Sequence, residues 1–433
     1  MFLLGGSMRI EKKSLKVMLA GAIGGSIEFY DFVLYGALAP LFSKLFFPSE
    51  EAFVSLLSAY AVFAVGFFAR PLGAIIFGSV GDKYGRRVAL FSSLILMSIA
   101  TLSIGVLPTY NTIGIFAPLL MLLIRLMQGI SAGGEYSGAL IFAIEHNDKK
   151  RSGLVGSFVA AGCMSGLVLG SIAGLVCALP NMPVWVWRVP FIIGFAVSAL
   201  GIYIRYNLEE TPEFIAQKNE TTEKISFWQE IIHNPLQFFS AIVLSGFNGI
   251  VLYVYFVFLS PFITQATGLS MTMSKLYTCL GTACIMVLLV FFGWLSDFVD
   301  RVKLMTAAII FLIGTSFMMF MTLEEVSYST ILVYQLLFVC FFAMYSGPLN
   351  TYIIELFKTM VRYRCAAVGY SLGMGIIGGS APFVATLFTL NEKSAFFLSC
   401  YIGAWGIVAM LALFSLALQY KKNPYKFPTS FSI

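Results

Sequence analysis

Gly78-Ser79-Val80-Gly81-Asp82-Lys83-Tyr84-Gly85-Arg86-Arg87 sits between two apolar runs, roughly 53–79 and 88–107. Only 11% of the chain is charged, yet here four charged residues fall within six positions. Gly78, Gly81 and Gly85 let backbones pass closely and let the chain reverse. Asp82 can accept from the N-terminus of the next helix, and Arg86 and Arg87 can pair with carboxylates on neighbouring segments. An ordinary positive loop needs the charge but not this spacing of glycine and aspartate. A second copy, Gly293-Trp294-Leu295-Ser296-Asp297-Phe298-Val299-Asp300-Arg301, also follows an apolar run, with Asp300 where the first has Gly85. Asp297 lies 215 residues after Asp82, half the chain. A charged turn that occurs once per half implies two related halves.

The chain is 59% hydrophobic, and apolar runs of 18 or more residues recur along it. That is the pattern of an all-α membrane protein with many spans. Twelve transmembrane helices fit, at about 16–42, 53–79, 88–107, 113–145, 153–179, 185–206, 236–266, 272–296, 303–322, 328–356, 364–389 and 394–419. The lysines before the first run resemble a signal peptide. The run continues past Glu28 and Asp31 without a cleavage site, so it reads as the first span. Lys and Arg fall 21 to four on alternate segments. The rich side includes Arg9, Lys12, Lys13, Lys16, Lys224 and Lys426; the poor side has Lys44, Arg188, Lys275 and Lys393. Both termini are therefore expected in the cytoplasm. The division is 1–206 and 236–420 as two pseudo-symmetric six-helix bundles, 207–235 as a cytoplasmic linker and 421–433 as a cytoplasmic tail. The net charge of +6 follows this topology and does not imply nucleic acid.

The fifth span has glycine at 162, 166, 170 and 174, a smooth face for close helix packing, and the eleventh is similarly rich. Seven scattered cysteines form no C-x-x-C and read as small packing residues. The two histidines, His146 and His233, lie in polar loops, so no metal site is expected.

Ionisable residues within spans are costly and point to function. Glu28 and Asp31 share one face of the first helix, roughly 18–22 Å along it from Lys16. Arg125, about 30 Å along the fourth helix from Glu145, reaches a similar depth, so a pair between the first and fourth helices is expected. Glu135 and Arg70 complete the set. Three carboxylates face two arginines in this count, leaving one acid without an arginine partner and suited to carry a proton. The second half has no ionisable residue deep in its spans. It offers Asn248, Tyr253, Tyr345, Asn350 and Tyr370 among its polar and aromatic residues, suggesting coupling in the first half and selectivity in the second.

Further stretches carry a resemblance: Glu28-Phe29-Tyr30-Asp31-Phe32, Ala69-Arg70-Pro71-Leu72-Gly73, Arg125-Leu126-Met127-Gln128-Gly129, Gly133-Gly134-Glu135-Tyr136, Trp187-Arg188-Val189-Pro190-Phe191 and Leu208-Glu209-Glu210-Thr211-Pro212. With the charged turns, they resemble the metabolite:proton symporter family of the major facilitator superfamily, which includes proline/betaine, 2-oxoglutarate, citrate and shikimate transporters. The resemblance implies a central polar network containing Asp31, Arg125 and Glu135. It also implies an inner gate of Asp82, Arg86, Glu145 and Arg151, with Asp297, Arg301, Glu355 and Arg362 as counterparts. Gly78, Gly85 and Arg87 belong to the same gate stretch. Residues 358–362 depart from the family, which usually has a proline after the phenylalanine. The tail to residue 433 has no heptad run, so a coiled-coil extension like that of some osmolyte members is not expected.

The sequence thus implies proton-coupled symport of a small organic metabolite by alternating access, in a bacterial inner membrane, by a monomer. No cofactor is needed beyond the proton gradient. Glu28, Asp31, Arg70, Arg125 and Glu135 are the expected coupling residues. Tyr30, Arg70, Arg125, Asn248, Tyr253, Tyr345 and Asn350 are the expected substrate contacts. A zwitterion such as proline or betaine leads, because aromatic residues suit quaternary ammonium groups. A di- or tricarboxylate held by arginines is the alternative. A transport-inactive sensor of the same fold is the rival from another class. An enzyme is disfavoured, because no nucleophile–base, metal or phosphate-binding set occurs in the spans.

Overall fold

The computed structural model describes residues 12–177, 179, 182–218, 226–322, 327–388, 394–424 and 427. Arg9, Lys224, Lys393 and Lys426, counted above in the charge bias, lie outside them. Among the described residues there are no strands, and twelve helices are long and apolar enough to cross a bilayer. Only a helix satisfies its own backbone groups where no water is present, so long apolar runs become helices there. They are α1 Ser14–Phe46, α2 Ala52–Lys83, α3 Arg86–Val106, α4 Phe116–Glu145, α5 Lys149–Cys177 and α6 Val184–Tyr206 in the first half. The second half has α7 Pro235–Thr267, α8 Met273–Leu295, α9 Arg301–Thr322, α10 Tyr328–Glu355, α11 Arg362–Phe388 and α12 Ala395–Lys422. Every end lies within four residues of the expectation. The linker contributes two short helices, Pro212–Lys218 and Phe227–His233.

The opening stretch is less of a loop than its charge suggests. Helix α2 runs on through Lys83, so the reversal takes only Tyr84 and Gly85. Gly85 has φ of 114°, a conformation that side chains disfavour.

The six helices of each half pack chiefly on one another. The glycine face of α5 lies against α1. A Cβ at 162, 166, 170 or 174 would collide with Ala22, with the Ser26 or Tyr30 carbonyl, or with Ala37. In the second half α11 meets α7 in the same way, Gly378 against Gly249. The Trp187-Arg188 stretch is structural. Trp187 is buried 5.3 Å from the Phe42 ring, and Arg188 donates to the Gly105 carbonyl at 2.8 Å. The halves meet through α2 with α11 and α5 with α8. Both α7 and α11 contain a π-helical stretch, Val254–Phe258 and Ser371–Gly378. Such widened turns are rare and favour functional sites.

Candidate functional site

Glu28, Asp31, Arg70, Arg125 and Glu135 are all buried, as expected, but they do not form one cluster. The two acids of α1 turn to different neighbours. Glu28 meets Arg70 of α2 at 3.1 Å. The contact is not an aligned hydrogen bond: both Glu28 oxygens and Arg70 Nε lack hydrogen-bond partners among the described residues. The guanidinium of Arg70 lies 4.3 Å from the Phe32 ring centre and 4.9 Å from that of Phe67.

Asp31 turns to α3 and α4. Its Oδ2 accepts from the Thr101 hydroxyl, and from Gln128 Nε2 at 3.2 Å. Gln128 Oε1 in turn accepts from Arg125 Nη1 at 2.7 Å. The expected pair between α1 and α4 is therefore relayed by Gln128, three residues along α4 from the arginine. Arg125 also lies 4.6 Å from the Phe32 ring centre, so this one ring neighbours both guanidinium groups.

The count of three acids against two arginines is corrected by Arg205. It stands on the last turn of α6 and is 3% exposed. Arg205 Nη2 and Nη1 donate to the two oxygens of Glu135 at 2.5 and 2.9 Å, and Ser93 adds a third bond at 2.8 Å. A Cβ on Gly24 of α1 would collide with both partners, so the pair nests against α1. The network is thus three carboxylates and three arginines, which balance when all six are ionised. Its members differ in fit: Glu135–Arg205 is doubly bonded, Asp31–Arg125 is relayed, and Glu28–Arg70 is a single loose contact.

The second half approaches this network through Tyr253 and Tyr370. The Tyr253 ring lies 6.3 Å from Phe67, edge to face, and Tyr370 stacks on Tyr136 at 4.7 Å. Asn350 and Tyr370 line a cavity of about 10 Å³ with Ser137 and Leu140, room for one water. Asn248 is buried, with its Oδ1 unpartnered among the described residues. Tyr345 departs from its expected role as a substrate contact. It is fully buried inside the second bundle, donates to the Leu244 carbonyl at 2.9 Å and packs on Phe247. The Tyr30 hydroxyl is likewise spent on the Pro190 carbonyl at 2.9 Å.

At one end of the molecule the expected gate residues tie the halves together. The role given to Asp82 changes. It does not cap the next helix; it accepts from the backbone of Tyr363 and Arg364 at 3.2 and 3.1 Å, at the start of α11 in the other half. Asp297 does the same to α5, accepting from Gly153 and Leu154 at 2.7 and 2.9 Å. Burial pushes the Asp297 carboxyl up from its ordinary value, against these two backbone donors and Arg301, which pull it down. Each arginine four residues on contacts its aspartate, Arg86–Asp82 at 3.5 Å and Arg301–Asp297 at 3.2 Å. Each also binds a glutamate, Arg86–Glu145 at 3.2 Å and Arg301–Glu355 at 2.5 Å. Arg362 reaches Glu145 across the halves at 3.0 Å. Gly78 and Gly81 give room for Arg364 and Tyr363. Arg87 donates to the Tyr206 carbonyl rather than to a carboxylate, and Arg151 is half-buried at the head of α5.

The cap of α3 comes from the linker. Glu210 accepts from the backbone of Arg86 at 3.0 Å and of Arg87 at 3.1 Å. A carboxylate on the free N–H groups of a helix is favourable through both hydrogen bonds and the dipole. Glu210→Ala is expected to cost about 1 kcal/mol, read as a melting temperature lowered by a few degrees in detergent. An unchanged melting curve would deny the cap. Beyond Glu210, Thr211 donates to Glu145 at 2.7 Å, and Glu213 pairs with Arg362 at 2.6 Å.

A charged turn in each half, two six-helix bundles and a cross-bonded end form one recurrent architecture. The sequence profile of the Major Facilitator Superfamily matches residues 21–378. The chain belongs to that superfamily. A Staphylococcus aureus (strain MSSA476) protein, provisionally named as a proline/betaine transporter, is 33% identical, over 94% of this chain and 89% of its own. The glycine betaine/proline/ectoine/pipecolic acid transporter OusA of Dickeya dadantii is 30% identical over 92% of this chain and 82% of its own. Among solved structures, the proton:xylose symporter XylE from E. coli matches with a TM-score of 0.70 at 17% identity, covering 94% of this chain and 95% of that one. The E. coli fucose:proton symporter FucP matches with a TM-score of 0.70 at 14% identity, covering 92% and 99%. This superfamily member is a multi-pass membrane transport protein, not an enzyme.

Sequence reasoning missed Arg205, Gln128, Thr101, Glu210 and Glu213 as parts of this machinery. Gln128 stood inside a quoted stretch. Arg205, one residue inside the end of the expected span at 206, falls by sequence among the positive charges of the rich side.

Proposed function

We propose that this chain is a proton-coupled symporter of a small zwitterion, proline or betaine, working by alternating access. Residues 1–206 and 236–420 would rock as two bodies joined by 207–235. The gated end would face the cytoplasm with both termini, and the protein would act as a monomer in a bacterial inner membrane. The charge balance of the central network carries the substrate reading. Three buried acids meet three buried arginines, so a solute without net charge leaves that charge balance unchanged. A dicarboxylate would bring two negative charges into a site already neutral, and burying unmatched charge is expensive. The names of the related transporters support the same choice. Uptake of labelled proline and betaine with alkalinisation of the outside medium tests it. Better competition by 2-oxoglutarate than by betaine would reject the zwitterion.

Within this reading Asp31 is the proton carrier. It reaches Arg125 through a neutral amide, and its Oδ1 has no hydrogen-bond partner among the described residues. A proton there breaks no direct ion pair. Asp31→Asn, the amide mimic of the protonated acid, is expected to keep counterflow exchange and to lose accumulation driven by a proton gradient. Accumulation at the parental level would remove Asp31 from the coupling step.

A further inference from the structure

Two ion pairs of the first bundle are built differently. Glu135–Arg205 is doubly bonded, and each of the two Nη atoms also meets a backbone carbonyl, Leu90 at 3.0 Å and Ala20 at 3.3 Å. That is how a permanent pair is satisfied. Glu28–Arg70 has one contact at 3.1 Å, and Arg70 Nε and both Glu28 oxygens lack hydrogen-bond partners among the described residues. Leaving buried donors and acceptors unmade is costly, so such a pair holds capacity for a third group. Arg70 is also the outer member, its side chain 8% exposed where that of Glu28 is 0%.

The surroundings of Arg70 are those of an aromatic cage. Phe32 of α1 and Phe67 of α2 face its guanidinium at 4.3 and 4.9 Å. Tyr253 of α7 closes on Phe67 from the other half, 6.3 Å away and edge to face. Aromatic faces with a carboxylate behind them recognise quaternary ammonium groups, which have no hydrogen to donate. Here a cation of the protein's own fills the seat.

We infer that Arg70 is a resident stand-in for the substrate's cation: the ammonium group of the zwitterion takes the seat among Phe32, Phe67, Tyr253 and Glu28, and the displaced Arg70 grips the substrate's carboxylate. The inference rests on the zwitterion reading and specifies how that site works. One ion pair becomes two, with no change in net charge. A cation alone strands the arginine, and an anion alone leaves the cage to Arg70. Because Tyr253 belongs to the second half, filling the seat also acts across the two bundles.

Three probes of one shape test this: betaine, choline, which lacks the carboxylate, and 3,3-dimethylbutyrate, which lacks the positive charge. Each competes with labelled betaine in counterflow, in proteoliposomes of the full chain. The parent should prefer betaine over either by about ten-fold or more, as expected for a desolvated charge partner. Arg70→Ala should erase the preference over choline alone, and Glu28→Gln the preference over 3,3-dimethylbutyrate alone. Should either fail to reach the membrane, Phe67→Leu and Tyr253→Leu should reduce the preference over 3,3-dimethylbutyrate and spare that over choline. Preferences that survive every substitution, or fall together, overturn the inference while betaine transport stands. A parent that transports neither betaine nor proline overturns the substrate reading, and this inference with it.

Discussion

Glu145→Gln is expected to break the closed gate. The carboxylate is 4% exposed and is shared by Arg86, Arg362 and the Thr211 hydroxyl. Both arginines are themselves buried, at 0% and 3%. Removing the charge leaves two guanidinium groups side by side without their common anion, in a region that excludes water. Losing one partner of a buried ion pair costs about 3–5 kcal/mol, with the lower end expected here because Arg86 keeps Asp82 and Arg362 keeps Glu213. In the opened gate both arginines regain water, so most of that penalty falls on the closed form. The equilibrium between closed and open gate should therefore move by roughly 10²–10³-fold towards open. Asp82→Asn should do less: its amide oxygen replaces one of the two carboxylate acceptors that hold Tyr363 and Arg364, and Arg86 keeps Glu145. Cys365 supplies a native reporter. It is fully buried three residues into α11, behind the gate. With the other cysteines replaced, a membrane-impermeant maleimide applied to the gated side should label Cys365 far faster in Glu145→Gln. Transport should fall as well, since a carrier held open at one end cannot complete its cycle. A protected Cys365 and normal uptake would mean that Glu145 is not what holds the gate.

The sequence made the long-range layout legible and left the partner map dark. Hydropathy located each span because lipid exposes every polar lapse. The glycine face of α5 announced close packing because nothing else in a helix recurs every four residues without a side chain. The two charged turns announced two halves. What could not be read is which acid meets which arginine. That depends on helix rotation and on neighbours far along the chain, as with Glu135 and Arg205, 70 residues apart. An arginine one residue from a span's end reads as exposed, because long cationic side chains commonly reach back to the interface. Arg205 turns inward instead, towards Glu135 and the room left by Gly24. The same difficulty hid the reach of Asp82. Continuation of α2 to Lys83 aims it at α11, and leaves α3 to be capped by Glu210. Tyr345 and Tyr253 look alike as tyrosines of the second half. Only the fold separates one sealed inside its bundle from one that faces the network.

Arg205→Ala should be the most destabilising single change in the first bundle. Arg205 joins four helices: α6, which carries it, α4 through Glu135, α3 through the Leu90 carbonyl and α1 through the Ala20 carbonyl. The alanine variant strands Glu135 as a buried carboxylate with Ser93 as its remaining hydrogen-bond donor among the bonds described here. A penalty of about 3–5 kcal/mol is expected. That is a large share of the roughly 5–15 kcal/mol that holds a typical domain folded. Low yield and a sharply lowered melting temperature in detergent should follow. The double variant Arg205→Met with Glu135→Leu removes both charges and keeps the volume, and such replacements are often neutral or stabilising. It should recover the melting temperature while Arg205→Ala does not. Transport by the recovered double variant then separates two roles for Glu135. Proton-driven uptake close to that of the parent makes the pair a structural clasp, with proton transfer left to the looser acids of α1. A folded double variant that exchanges substrate but no longer responds to the proton gradient restores Glu135 to the coupling residues. Failure of the double variant to regain stability would show that the hydrogen bonds to Leu90 and Ala20, rather than the charge pair, hold these helices together.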